Sequence, residues 1–300
     1  MADLEPVTLQ DPSSSLRASY VPGAGMICTS LADNSIEYVG QRRGLQAYVS
    51  DGKTMGIPIL YPWANRLSAN EYRVADTEVT VIPGTHGVRA DAHGAPIHGV
   101  LAASPDWQVT ERTDNALVAQ LDWDSDQARL ATFPFPHRLT VTVTLEDRAL
   151  TVATAVAPTR DSSVPLCYGY HPYLTIPGVP RQDWQLHTPT MRHLPVDDRG
   201  LPTGEAQPWP GGTMRLGSTE LDDGFDDVST GAVFTLSGGP HRIEVAFEQG
   251  YGAAQLFAPA GDSVVGIEPM TAPTDALRHG NYKMAAPGSP ETATFSISVV

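Results

Sequence analysis

Apolar and polar side chains alternate along most of this chain. Leu139, Val141, Val143 and Leu145 share one face of an extended run, and Ile243, Val245 and Phe247 share another. Ala232, Phe234 and Leu236 repeat the same period of two, as do Phe295, Ile297 and Val299 near the C-terminus. Strands buried on one side carry this pattern; amphipathic helices do not. Between Leu145 and Leu150, Glu146-Asp147-Arg148-Ala149 forms a polar connection short enough to join two hairpin strands. One short helix is predicted over residues 125–130, with Asp124 or Ser125 as its N-cap. Pro134 and Pro136 disfavour helical geometry before them, so it must end by Phe133. No internal repeat appears, and no Pro/Gly/Ser linker is long enough to separate domains. Residues 1–15 read as a loose tail and 16–300 as a single all-β domain of two packed antiparallel sheets with few short helices.

Composition sharpens this picture. The 27 glycines and 26 prolines are spread evenly among 300 residues, which suits many short strands joined by turns. The formal charge of −15 disfavours a nucleic acid or an anionic membrane as partner, because phosphates are repelled. No apolar run reaches the roughly 18 residues a membrane span needs. The acidic start Met1-Ala2-Asp3-Leu4-Glu5-Pro6 lacks the basic and apolar regions of a signal peptide, so a cytoplasmic location is expected. Cys28 and Cys167 are too few for a disulfide framework and read as two buried free thiols.

Several chemistries find no support. Asp51-Gly52-Lys53-Thr54 resembles the end of a phosphate loop, but Ala47 stands where the upstream glycine is required. There is no Gly-x-Ser-x-Gly elbow and no His-Glu-x-x-His. His86, His93 and His98 match no usual metal-ligand spacing. The acidic run from Asp222 to Asp227 lacks the alternating carboxylates and closing glutamate of a calcium loop. Lysine occurs only at 53 and 283, which offers little for Schiff-base chemistry. No metal and no cofactor is called for.

Five segments place polar side chains where the pattern reads as strand ends. They are Pro62-Trp63-Ala64-Asn65-Arg66-Leu67, Pro96-Ile97-His98-Gly99-Val100, Gly169-Tyr170-His171-Pro172-Tyr173-Leu174, Leu221-Asp222-Asp223-Gly224-Phe225 and the stretch from Gly266 to Ala276. Each has an ordinary structural reading: a surface arginine, a half-buried histidine, core tyrosines with bonded hydroxyls, a solvated acidic turn. Glu268 is the most informative, because it closes the apolar run Val264-Val265-Gly266-Ile267. A carboxylate there is costly to bury without a partner or a task, and a structural ion pair would also account for it.

Taken in order, the five segments resemble the aldose 1-epimerase (mutarotase) family, from about Gly25 to the C-terminus. Each motif is weakly specific alone; the ordered set is strong. The resemblance implies a galactose-mutarotase-like β-sandwich that interconverts the α and β anomers of a sugar without metal or cofactor. His171 matches the family's general acid and Glu268 its general base. Arg66, His98 and Asp222 match its substrate-binding positions, Asp222 because the motif sets the acid three residues before an aromatic, here Phe225. Trp63, Asn65 and Tyr173 follow as further contacts. The chain departs from the best-known galactose mutarotases at Pro269-Met270, where they have Thr-Gln, and at Tyr173-Leu174-Thr175-Ile176 after the histidine. These departures leave the sugar open.

Anomer exchange requires a base at the C1 hydroxyl and an acid at the ring oxygen, both reversible. Histidine, with a reference pKa of about 6.5, and a glutamate raised by burial suit those tasks. Three other readings stay open on the sequence: a non-catalytic sugar-binding or sensing protein, a glycoside-cleaving enzyme using Glu268 and Asp222, and a hexose-phosphate epimerase using Arg42, Arg43 and Arg66. The partner in each case is a small sugar, phosphorylated or not, and the sequence is compatible with a monomer or a homodimer.

Overall fold

The computed structural model describes residues 4–300. The alternating runs form a nine-stranded antiparallel sheet in the spatial order Gln108–Arg112, Ala116–Asp122, His137–Glu146, Ala149–Pro158, Glu291–Val299, His241–Gln249, Ala232–Gly238, Gln185–Thr188 and Gly212–Arg215. Its central hairpin joins His137–Glu146 to Ala149–Pro158 through Asp147 and Arg148, both in the left-handed region. Two such residues make the tight turn whose twist matches paired strands. Val143 faces Val152 and Leu145 faces Leu150 across that pair, all four buried. Each such side chain contributes about 1.5–3 kcal/mol.

A second antiparallel sheet runs Gln207–Trp209, Met191–Leu194, Leu221–Asp226, Ala253–Ala258, Val265–Met270, Gly169–Tyr170 and Ile59–Leu60, with Tyr173–Leu174 also paired to Val265–Met270. Val265 and Ile267 join the main hydrophobic core, together with Phe234, Phe247 and Phe295 of the nine-stranded sheet. All six residues of Val265–Met270 are buried, so the strand is covered on both faces. Glu268 therefore lies inside a strand, not at its end as the apolar run alone suggests. Cys28 and Cys167 are buried free thiols. Among the described residues no helix is long and apolar enough to cross a membrane.

Three local expectations change. Residues 7–10, within the predicted loose tail, form a strand paired in register with Leu16–Val21, and Val7 and Leu9 enter the core; residues 1–3 lie outside the described part of the chain. The tail reading failed because the alternation there is too short to register. The helix near 125 is displaced: Trp123–Ser125 is a 3₁₀ turn, and the α-helix is Gln127–Thr132 with Asp126 as N-cap, its carboxylate accepting from the Ala128 amide at 2.7 Å. It does end before Phe133. A further helix, Gly44–Asp51, closes on Gly52 in the left-handed region. That helix places Asp51-Gly52-Lys53-Thr54 at a helix C-terminus, the opposite end from a phosphate loop.

Asp11 explains why the N-terminal strands hold. Its buried carboxylate accepts from the Ser13 amide and hydroxyl, both at 2.9 Å, and from the Ser14 hydroxyl at 2.5 Å. The Arg148 amide of the central hairpin donates to it at 2.8 Å. Arg148 also reaches Asp33 and the Val299 carbonyl, each at 2.8 Å. Asp11→Ala strands those donors, and we expect a loss of about 1–3 kcal/mol in urea denaturation.

Candidate functional site

Residues opposite one another in an antiparallel pair point to the same side of the sheet. In the second sheet Asp222 opposes Phe257, Phe257 opposes Gly266, and Gly266 opposes Tyr173. The neighbouring row is Gly224, Gln255 and Glu268. These two rows form one patch on the face turned away from Val265 and Ile267. The same alternation sends Asp223 the other way, where it accepts from His193 at 2.8 Å.

His171 stands over this patch. Its amide donates to the Pro58 carbonyl at 3.1 Å, and its ring stacks on Tyr173 with centroids 4.1 Å apart. Nε2 lies 3.1 Å from Glu268 Oε1. Gly266 makes the room: a Cβ there would stand 3.1 Å from His171 Cε1 and 3.3 Å from Glu268 Oε1. His171 is 5% exposed and Glu268 2%, and neither His171 Nδ1 nor Glu268 Oε2 has a hydrogen-bond partner.

Burial sets the protonation of both groups. Desolvation, reinforced by the Arg42 charge, pushes His171 down to about 3. Desolvation, reinforced by the Asp222 charge, raises Glu268 well above the usual carboxylate range. Burial likewise lowers His98, with His171 and Arg89 adding to the effect. The resting pair is thus biased toward neutral imidazole and neutral acid.

The loops at 62–67 and 96–100 close the patch. Asn65 and His98 both adopt left-handed backbone, uncommon for residues with a Cβ. They hold each other there: the His98 amide donates to the Asn65 carbonyl at 2.9 Å, and the Asn65 amide donates to His98 Nδ1 at 3.2 Å. That bond leaves Nδ1 as an acceptor, so neutral His98 carries its proton on Nε2. Arg66 is fixed by Asp91 at 2.8 Å, by Asn65 Oδ1 at 3.1 Å and by Asp222 at 3.8 Å. Gln255 donates to the other Asp222 oxygen at 2.7 Å.

The cavity that results has a volume of about 140 Å³ and is lined by Asn65, Arg66, His98, His171, Tyr173, Asp222 and Glu268, with Ile97 and Phe257 as its apolar wall. Seven of the eight residues singled out in the sequence meet here. Trp63 does not. It is buried in the main core, its backbone bridged to that of Cys167. The residues missed in the sequence are Phe257, Ile97, Gln255, Asp91 and Gly266. Ile97 and Gly266 lie within singled-out segments; Phe257 and Gln255 reach the site through strand register, and Asp91 through its ion pair with Arg66.

The pocket holds a buried histidine–glutamate pair, fixed hydrogen-bond donors and acceptors, and an apolar wall. Similarity to known proteins agrees with that composition. Residues 7–298 match the sequence model of the aldose 1-epimerase family. Over 99% of its length the fold is similar to the Slr1438 protein of Synechocystis sp. PCC 6803, at 26% identity, 96% coverage of that chain and a TM-score of 0.79. A galactose mutarotase-like protein of Clostridium acetobutylicum shares the fold at 16% identity, covering 96% of this chain and 93% of its own, with a TM-score of 0.82. An uncharacterized Escherichia coli K12 protein, YihR, is 22% identical over 250 residues, 80% of this chain and 77% of its own. With the family model spanning nearly the whole described chain, this protein belongs to the aldose 1-epimerase family.

Proposed function

We propose that the chain is an aldose 1-epimerase, with Glu268 taking the proton of the C1 hydroxyl and His171 protonating the ring oxygen. The observation that carries this reading is the 3.1 Å contact between two buried groups that line a cavity sized for one ring, with His171 Nδ1 and Glu268 Oε2 left without partners. One proton serves the pair. With it on Glu268, transfer across the contact to Nε2 produces the imidazolium and carboxylate the reaction uses. Glu268 then removes the hydroxyl proton as His171 delivers its own to the ring oxygen, and the C1–O5 bond breaks to give the open aldehyde. Rotation about C1–C2 presents the other carbonyl face. Ring closure returns one proton to O1 and restores the other to the pair, so nothing is consumed.

The remaining side chains orient the ring in this scheme. Arg66 stays charged and donates to sugar oxygens, Asp222 accepts from a hydroxyl, and His98 and Asn65 add neutral partners. Tyr173 stacks behind His171 and keeps the imidazole plane fixed. A glycoside-cleaving role fits less well, because Asp222 is already bonded to Gln255 and close to Arg66, while the partner of Glu268 is an imidazole.

Anomer exchange followed by NMR, with glucose, galactose and other aldoses, tests the assignment. His171→Asn and Glu268→Gln should each lower the rate on the true substrate by about 10²–10⁴-fold. Saturable sugar binding with no exchange in the wild type would instead identify a sugar-binding protein. The rate should fall on the acid side when the pair gains a second proton and on the alkaline side when it loses its only one. The alkaline limb, set by Glu268, should lie well above the usual glutamate range.

Folding stability checks the same burial independently. The unfolded chain ionises Glu268 near its ordinary pKa, whereas the folded chain resists ionisation, so this residue costs stability as pH rises above about 4.5. Glu268→Gln should therefore melt higher than the wild type at pH 7, with the gain shrinking toward pH 4.5 in thermal denaturation.

A further inference from the structure

A second depression, of about 750 Å³, opens beside the reaction cavity and shares Ile97 and His98 with it. Lys53, Thr54 and Arg89 line it. The Thr54 hydroxyl bonds to that of Tyr173 at 2.6 Å, joining the two walls. Arg89 is unusual here. Its Nη1 donates to the Gly52 carbonyl at 2.6 Å, but Nε and Nη2 are buried and donate to nothing. Among the described residues no carboxylate pairs with it, whereas Arg42 is 3.4 Å from Asp262 and Arg66 is held by Asp91. Of the two aspartates lining the depression, Asp91 is engaged by Arg66 and by the His93 and Ala95 amides, and Asp51 is exposed.

A buried guanidinium without a counter-charge is costly, and an oxyanion satisfies it with charge-assisted hydrogen bonds. We propose that this depression is a subsite for a negatively charged substituent of the sugar, a phosphate, sulfate or carboxylate, held by Arg89 at its floor and Lys53 at its rim. The proposal rests on the mutarotase reading for its orientation. With the ring oxygen at His171, its neighbour C5 carries the exocyclic C6, and His98, whose ring centroid is 6.0 Å from that of His171, leads into the depression. Of the three cations that the sequence offers for a phosphorylated sugar, Arg42 and Arg66 are already paired and Arg43 is exposed and outside the depression, so Arg89 takes their place.

Calorimetric binding to the whole protein tests this, using glucose, glucose 6-phosphate, glucose 6-sulfate and glucuronate. At least one charged sugar should bind about tenfold or more tightly than glucose, with the advantage shrinking as salt is added. Arg89→Gln should remove most of that advantage. Lys53→Gln, at an exposed position that should not disturb folding, should reduce it severalfold. The subsite is overturned if no charged sugar outbinds glucose, or if the preference survives both substitutions. NMR exchange on the same samples separates the two claims. Arg89-dependent binding without exchange would sink the epimerase reading and leave the subsite standing, while exchange without charge preference would do the reverse.

Discussion

A carboxylic acid and an imidazole, sealed together on the second strand layer of a β-sandwich, set the terms for this protein. Both are almost wholly buried and stand 3.1 Å apart, and burial makes each group prefer the form without charge. In water the two would differ by roughly two pKa units with histidine the stronger base. Burial reverses that order and leaves the resting proton on Glu268, one hydrogen bond from the imidazole. The unpartnered outer atoms are the cost of keeping both groups available, and natural sites commonly accept such a loss of stability.

Much of the surrounding structure maintains that contact. Gly266 gives up a side chain so that the imidazole can lie against the strand. Tyr173 stacks on the ring, and Pro58 holds its backbone. Charge is kept at a measured distance. Arg66 sits in a frame of Asp91, Asn65 and Asp222, so its position does not depend on a bound ligand. The left-handed backbone at Asn65 and His98 would be strained in isolation, and their reciprocal hydrogen bonds hold it.

Local pattern reached some of this and missed some for identifiable reasons. The hairpin through Asp147 and Arg148 was legible because alternation on both sides and a two-residue polar turn agree. The strand at Val7–Gln10 was not, since four residues carry too little periodicity against a polar background. The helix at Gly44–Asp51 was missed because its apolar stripe, Leu45, Tyr48 and Val49, covers only one turn. Trp63 shows the opposite error: an aromatic beside polar site residues invites a role in binding, but it packs into the core between them.

The sequence by itself determined the all-β class, since period-two alternation is a local property, and it marked the polar residues that an apolar fold must explain. It also carried the ordered motifs that resemble the family. Only the tertiary structure decided which of those residues meet. Asp222, Phe257, Gly266 and Tyr173 are brought into one row by hydrogen-bond register across four strands, and a slip of one residue would turn each to the other face. Register is a relation between distant segments. So are the pairings of Arg42 and Arg66, against which Arg89 stands out, and no inspection of charges along the chain could single that residue out.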